Sequence, residues 1–148
     1  MKFIPHTLVM LLAAVSLQAA QIEGTIQLKF TSDAFDDGVF KQEFGDVLKA
    51  KCMWYAGNFF GQETVFAGVN VRNTGTKPMF FRYYVAFYDK DKKLVGATGQ
   101  GHTGPNGLRP GDSEQEASCI IGLPKDRYKD IVSYQPVLYE TDQPPTKN

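Results

Sequence analysis

Val65-Phe66-Ala67-Gly68-Val69-Asn70-Val71-Arg72-Asn73-Thr74-Gly75-Thr76 is the stretch that decides the fold. Val65, Ala67, Val69 and Val71 fall on one side of an extended chain, and Phe66, Asn70 and Arg72 on the other. Side chains alternate between the two faces of a strand, so this twofold rhythm predicts a half-buried β-strand. Asn73 to Pro78 then turns the chain, because Asn and Gly accept positive φ and Pro78 cannot join a central ladder. Met79 to Asp89 repeats the rhythm, with Phe81, Tyr83, Val85 and Phe87 on the core side and Arg82, Tyr84, Ala86 and Tyr88 on the other. Asp89-Lys90-Asp91-Lys92-Lys93 predicts a hairpin loop, and Leu94 to Thr98 the returning strand. A Gly-rich connection from Gly99 then leads to a Leu108-Arg109-Pro110-Gly111-Asp112 corner.

The same rhythm extends in both directions. Ile22, Ile26, Leu28 and Phe30 share one side of a first strand, and Asp36-Asp37-Gly38 offers a tight reversal. A second strand runs near Val47 to Ala56, followed by a loop in which Gly57 and Gly61 bracket Asn58-Phe59-Phe60. Glu114 to Ile121 and Ile131 to Glu140 complete the set, with one helical turn expected over Lys125 to Asp130. About seven to eight strands in one domain, with turn signals between them, predict an antiparallel β-sandwich. No sustained 3.6-residue apolar stripe argues for an α/β fold.

Val65 to Ile121 resembles the FxLYD-type and related immunoglobulin-like domains of exported bacterial proteins. The residues that carry the resemblance are Val69-Asn70-Val71-Arg72-Asn73-Thr74-Gly75, Val85-Ala86-Phe87-Tyr88-Asp89 and Leu108-Arg109-Pro110-Gly111-Asp112. Val85 stands in the first aromatic place of the eponymous motif, and Phe87 in its leucine place. The resemblance implies an immunoglobulin-like sandwich used for binding or spacing, with no shared catalytic residues. The antibody pattern fits less well, since Trp54 follows Cys52 by only two residues and Ala117 holds the place of a tyrosine corner.

Residues 1–20 read as a leader. Lys2 gives a positive start, Leu8 to Val15 an apolar core, and Ala19 and Ala20 offer a cleavage point. The run is too short to span a bilayer, which takes about 20 residues. The expected plan is a signal peptide at 1–20, one sandwich domain at 21–140 and a frayed tail at 141–148. The expected compartment is the periplasm, or otherwise the extracellular space, with no integral membrane segment after cleavage. Export with two cysteines predicts one disulfide, Cys52–Cys119. Each sits in an apolar alternation: Leu48, Ala50, Cys52 and Trp54 on one segment, Ala117, Cys119 and Ile121 on the other.

The chain has 16 basic and 16 acidic residues and a formal net charge of zero, which argues against nucleic acid as a partner. No cofactor or metal is expected. His102 is the sole histidine after the leader and reads as an exposed loop residue; no Gly-x-Ser-x-Gly elbow accompanies it. Asp89-x-Asp91 begins like a calcium loop, but Lys92 and Lys93 occupy the following places. Met53 and Met79 lack paired-ligand spacing and read as core. Glu114 and Glu116 share a strand face about 7 Å apart, within reach of carboxylate-dependent glycoside hydrolysis, but read as solubilising.

The functional signal is the aromatic surplus, 13% of all residues. Phe80, Tyr84 and Tyr88 should point outward along one strand with Arg82 between them, and Phe59 and Phe60 form a loop tip. Such surfaces favour protein interfaces. The expectation is a non-enzymatic module that binds a protein or envelope component. The alternatives are a carbohydrate-binding module using Trp54, Tyr55 and Tyr84, and a small hydrolase using Glu114 and Glu116, or His102.

Overall fold

A computed structural model describes residues 18–25, 42–101, 104–120 and 125–144. Nine strands occur among them, in chain order β1 (Gln18–Gln21), β2 (Gly24–Thr25), β3 (Glu43–Phe44), β4 (Leu48–Phe59), β5 (Gln62–Asn73), β6 (Phe80–Tyr88), β7 (Leu94–Gln100), β8 (Ser113–Cys119) and β9 (Ser133–Thr141). The expected helical turn is a 3-10 helix over Lys125–Asp130. No helix among the described residues is long and apolar enough to cross a membrane.

All strand pairs are antiparallel and form two sheets. The five-stranded sheet runs β1-β9-β6-β7, with β2 also on β9, and the four-stranded sheet runs β3-β4-β5-β8. Leu48, Ala50, Cys52 and Trp54 of β4 and Val65, Ala67, Val69 and Val71 of β5 pack against Phe81, Tyr83, Val85 and Phe87 of β6 and Leu138 of β9. The alternation expected for β5 and β6 is the observed one. Tyr83 is fully buried, and its hydroxyl donates to the Ala67 carbonyl across the sandwich at 2.9 Å. A buried phenol is tolerated when so paired.

Three observations bear on the sequence reading. First, pairing begins inside the stretch assigned to the leader, since Gln18 to Ala20 face Glu140 to Leu138 of β9. The rest of the expected first strand, Ile26 to Phe30, and the reversal at Asp36-Asp37-Gly38 lie outside the described residues.

Second, β8 is turned over. Its register sets Glu114, Glu116 and Ser118 opposite Val71, Val69 and Ala67, so the even-numbered residues face inward. A strand has period two, and a one-residue change moves every side chain to the other face. Ser113 to Cys119 has little apolar contrast between its faces, so the pattern alone could not choose. Among the described residues β8 is also the sheet's edge, and inward-pointing charges there hinder edge-to-edge association.

Third, the Cys52–Cys119 disulfide does not form; both cysteines are free. Cys52 lies opposite Val69 and Cys119 opposite Phe66, on the two sides of β5 and on opposite faces of the sheet. Two strand spacings and three residues of rise separate their Cα atoms by roughly 14 Å, against an upper limit of about 6.8 Å for a bridge.

Burial raises the Cys52 thiol from its ordinary 9.0 to about 12, which excludes a reactive thiolate at neutral pH. Burial also raises the Tyr83 phenol from 10.0 to about 12. Both groups keep their protons in the folded state at pH values where the unfolded chain releases them. Their contribution to stability is therefore complete below about pH 9 and is lost as pH rises toward 12. Cys52 alone should lower unfolding free energy by about 1.4 kcal/mol per pH unit across that window. In urea titrations, Cys52→Ala should move the alkaline onset up toward pH 10, where the tyrosines of the unfolded chain begin to ionise.

Candidate functional site

The outer face of the five-stranded sheet is built around β6. Because Phe81, Tyr83, Val85 and Phe87 are drawn into the core, Arg82, Tyr84, Ala86 and Tyr88 must project from the other side. The register places Tyr139 beside Arg82, Val137 beside Tyr84 and Gln135 beside Ala86. On the opposite flank, Gly99 of β7 lies beside Tyr84.

Tyr84 is the centre of this surface and is 45% exposed. Its ring meets Tyr139 edge to face, with centroids 6.1 Å apart. Gly99 makes room for it: a Cβ on that glycine would stand 2.6 Å from the Tyr84 ring. A Cβ on Gly101 would stand 2.3 Å from the Phe81 carbonyl oxygen and 2.7 Å from the Arg82 Cα. The Gly99-x-Gly101 spacing, read from sequence as loop, therefore lets the chain lie close against the β6 backbone at Tyr83 and Phe81, and Gly99 also clears the Tyr84 ring. A glycine pair opposite a Tyr-and-Arg strand was the available signal, but it needed the strand pairing to be read.

Phe80 does not belong to this surface. It is buried, with Gly107 of the connection before the corner lying against its ring. The backbone exchange between Met79 and Leu108, at 3.0 and 2.7 Å, holds that connection over the start of β6. Tyr88 is half-buried and donates to Gln135 Oε1 at 3.3 Å, and Gln135 Nε2 in turn donates to Glu23 Oε1 at 3.2 Å. These residues border a cleft of about 490 Å³ that also takes in Gly24, Thr25, Lys92, Ser133 and Tyr134.

The expected site residues therefore separate. Arg82 and Tyr84 share an open face, Tyr88 sits at the cleft at one end of it, and Phe80 is covered. Phe59 and Phe60 lie on the β4–β5 hairpin of the other sheet. Trp54 is buried against Phe87 and Tyr134, and Tyr55 is stacked parallel on Phe66 at 4.9 Å. Trp54, Tyr55 and Tyr84 thus form no common sugar platform.

Glu114 and Glu116 do share a face, but it is the half-buried inward side of an edge strand. His102 lies outside the described residues. Asp89 Oδ1 accepts the backbone N–H groups of Asp91 and Lys93, each at 2.9 Å. The Lys93 bond leads in holding the Asp89 carboxyl below its usual value. Among the described residues no cluster of His, Cys, Asp and Glu is arranged to hold a metal ion.

No family model and no curated protein matches the chain. Two solved structures resemble it at low identity. One is a DUF1425 family member from Shewanella sp. pv-4, with 14% identity and a TM-score of 0.38 over 84% of this chain and 99% of that one. The other is the enzymatically active domain of bacteriophage CBA120 tailspike protein 4, with 11% identity and a TM-score of 0.27 over 84% of this chain and 17% of that one.

Proposed function

We propose that this chain is an exported, non-enzymatic β-sandwich module that binds another protein, or an envelope component, on the outer face of its five-stranded sheet. The observation that carries the reading is the half-exposed Tyr84 ring, flanked by Tyr139 and Arg82 on a rigid sheet with glycine clearing its edge. Tyrosine and arginine offer large contact area with polar tips and are favoured as interface anchors. The proposal keeps the periplasm as compartment, supported by Lys2 and the apolar run Leu8 to Val15, and cleavage at Ala19 or Ala20. It also keeps the kinship with FxLYD-type immunoglobulin-like domains, supported by the Asn73 turn and the Leu108–Asp112 corner.

Tyr84→Ser should cost about 1 kcal/mol through the lost Tyr139 contact and strand propensity, leaving the domain folded. It should weaken capture of a partner from envelope extract by about tenfold or more, the usual scale for an anchor residue. The captured species would be identified by mass spectrometry and its affinity measured with purified components. Equal affinity for parent and variant would end this reading. A glycan array run on the same pair of proteins tests the carbohydrate alternative, which retains only Tyr84 of its three rings.

A further inference from the structure

The β4–β5 hairpin ends in two phenylalanines placed against both solvation and backbone preference. Phe59 pairs with Gln62, so Phe60 and Gly61 are the two turn residues. Their φ angles are +50° and +82°, the pattern of the type I′ hairpin turn that favours Asn-Gly. A bulky residue at positive φ is disfavoured by crowding of its Cβ, yet Phe60 occupies the first place. Its side chain is 92% exposed. Apart from its edge contact with Phe59, such a ring gives folding little, whereas a contact outside the molecule would use its whole face.

The tip is supported by a row of rings. Phe60 meets Phe59 edge to face at 4.5 Å, Phe59 meets Phe66 at 6.4 Å, and Phe66 stacks on Tyr55. Among the described residues β3 accompanies β4 only as far as Lys51, and β8 accompanies β5 only as far as Phe66. Val65 and Thr64 are met by the backbone of Ile120, and the β4–β5 pairing itself runs on to Phe59 and Gln62. The eleven residues from Cys52 to Gln62, between Lys51 and Glu63, include no charged side chain. The result is an exposed aromatic turn without charge of its own, the nearest charged residue being Glu63, one pair behind it opposite Asn58.

We propose that Phe59 and Phe60 insert into a lipid surface, docking the domain reversibly through the interfacial region of a bilayer. An exposed turn needs a yielding or concave receiver, and a run without charge enters hydrocarbon without the penalty of desolvating an ion. Two rings provide weak binding of the kind a single anchor gives, so docking is reversible rather than permanent. With a net formal charge of zero, the rings and not the charges carry the attachment.

The test uses the full chain with phosphatidylcholine vesicles, alone and with phosphatidylglycerol, in flotation assays at low and high salt. The parent protein should bind both vesicles, and binding should survive 0.5 M salt, where charge attraction is screened. Phe60→Trp should bind as the parent does, with its emission shifted to the blue and quenched by acyl-chain-brominated lipid. Phe60→Asn suits the turn better, so the fold should be at least as stable, while vesicle binding falls about tenfold or more. Absence of parent binding, loss of binding in salt, or equal binding by Phe60→Asn would each overturn the proposal. So would a soluble protein whose capture depends on Phe60 while vesicles do not bind, which would assign the tip to a protein pocket.

Discussion

Glu140→Ala should remove about 3–5 kcal/mol of folding free energy, a large part of the 5–15 kcal/mol typical of a domain. Glu140 lies on the inner side of β9 and is only 3% exposed. Its carboxylate accepts three consecutive backbone N–H groups: Asp46 at 2.9 Å and Val47 at 3.2 Å on Oε1, and Leu48 at 2.6 Å on Oε2. These donors run from the turn after β3 into the first residue of β4, so one side chain of the five-stranded sheet fastens a turn of the four-stranded sheet. Gly45 shapes that turn with φ +100°, and a Cβ there would stand 2.0 Å from the Leu48 carbonyl oxygen. Alanine would strand the three donors, and hydrogen bonds to a charged acceptor are among the strongest. Glu140→Gln keeps the shape but turns an amide N–H toward one donor, so about half the loss is expected. Urea unfolding of the three proteins measures both. A loss below about 1 kcal/mol for the alanine variant would show that the carboxylate does not hold the turn.

Asn73→Ala should cost about 2–4 kcal/mol. Asn73 is fully buried at the end of β5. Its Nδ2 donates to the carbonyls of Lys77 at 2.7 Å and Leu108 at 2.8 Å, and its Oδ1 accepts from Gly75 N–H at 2.9 Å. Its backbone N–H donates to Asp112 O and its carbonyl accepts from Gly111 N–H. Arg109 to Asp112 forms a turn in which Pro110 takes the second place and Gly111, at φ +83°, the third. The Asp112 N–H closes it on Arg109 O at 3.1 Å, as in a type II turn. One amide thus joins the turn after β5 to the corner before β8. Asn73→Asp should be worse than alanine, because a carboxylate would face two carbonyl oxygens it cannot donate to. Chemical denaturation ranks the two; an aspartate variant as stable as the parent would refute the assigned bonding.

The turn at Asn73 was legible in the sequence, but for a different reason from the one that operates. By its residue type Asn73 is expected to accept positive φ; among the described residues the non-glycine positions with positive φ are Phe60 and Lys92. Asn73 acts through its side chain, and only the approach of residue 108 to residue 73 reveals that. Phe80 shows the same limit. Its even-numbered place predicted an outward ring, and a loop from beyond β7 covers it.

What the sequence determined by itself is the alternation of β5 and β6, the hairpin at Asp89–Lys93 and the Pro110-Gly111 corner. These depend on neighbours within a few residues and on strong contrast between apolar and polar faces. Tertiary structure alone decided which face of β8 turns inward, that Cys52 and Cys119 stand apart, and that Glu140 and Asn73 are buried hubs. Each of those is set by strand register and long-range packing, where the groups that satisfy a side chain are far away in the chain. A period-two pattern says that a strand has two faces; it does not say what lies against either one.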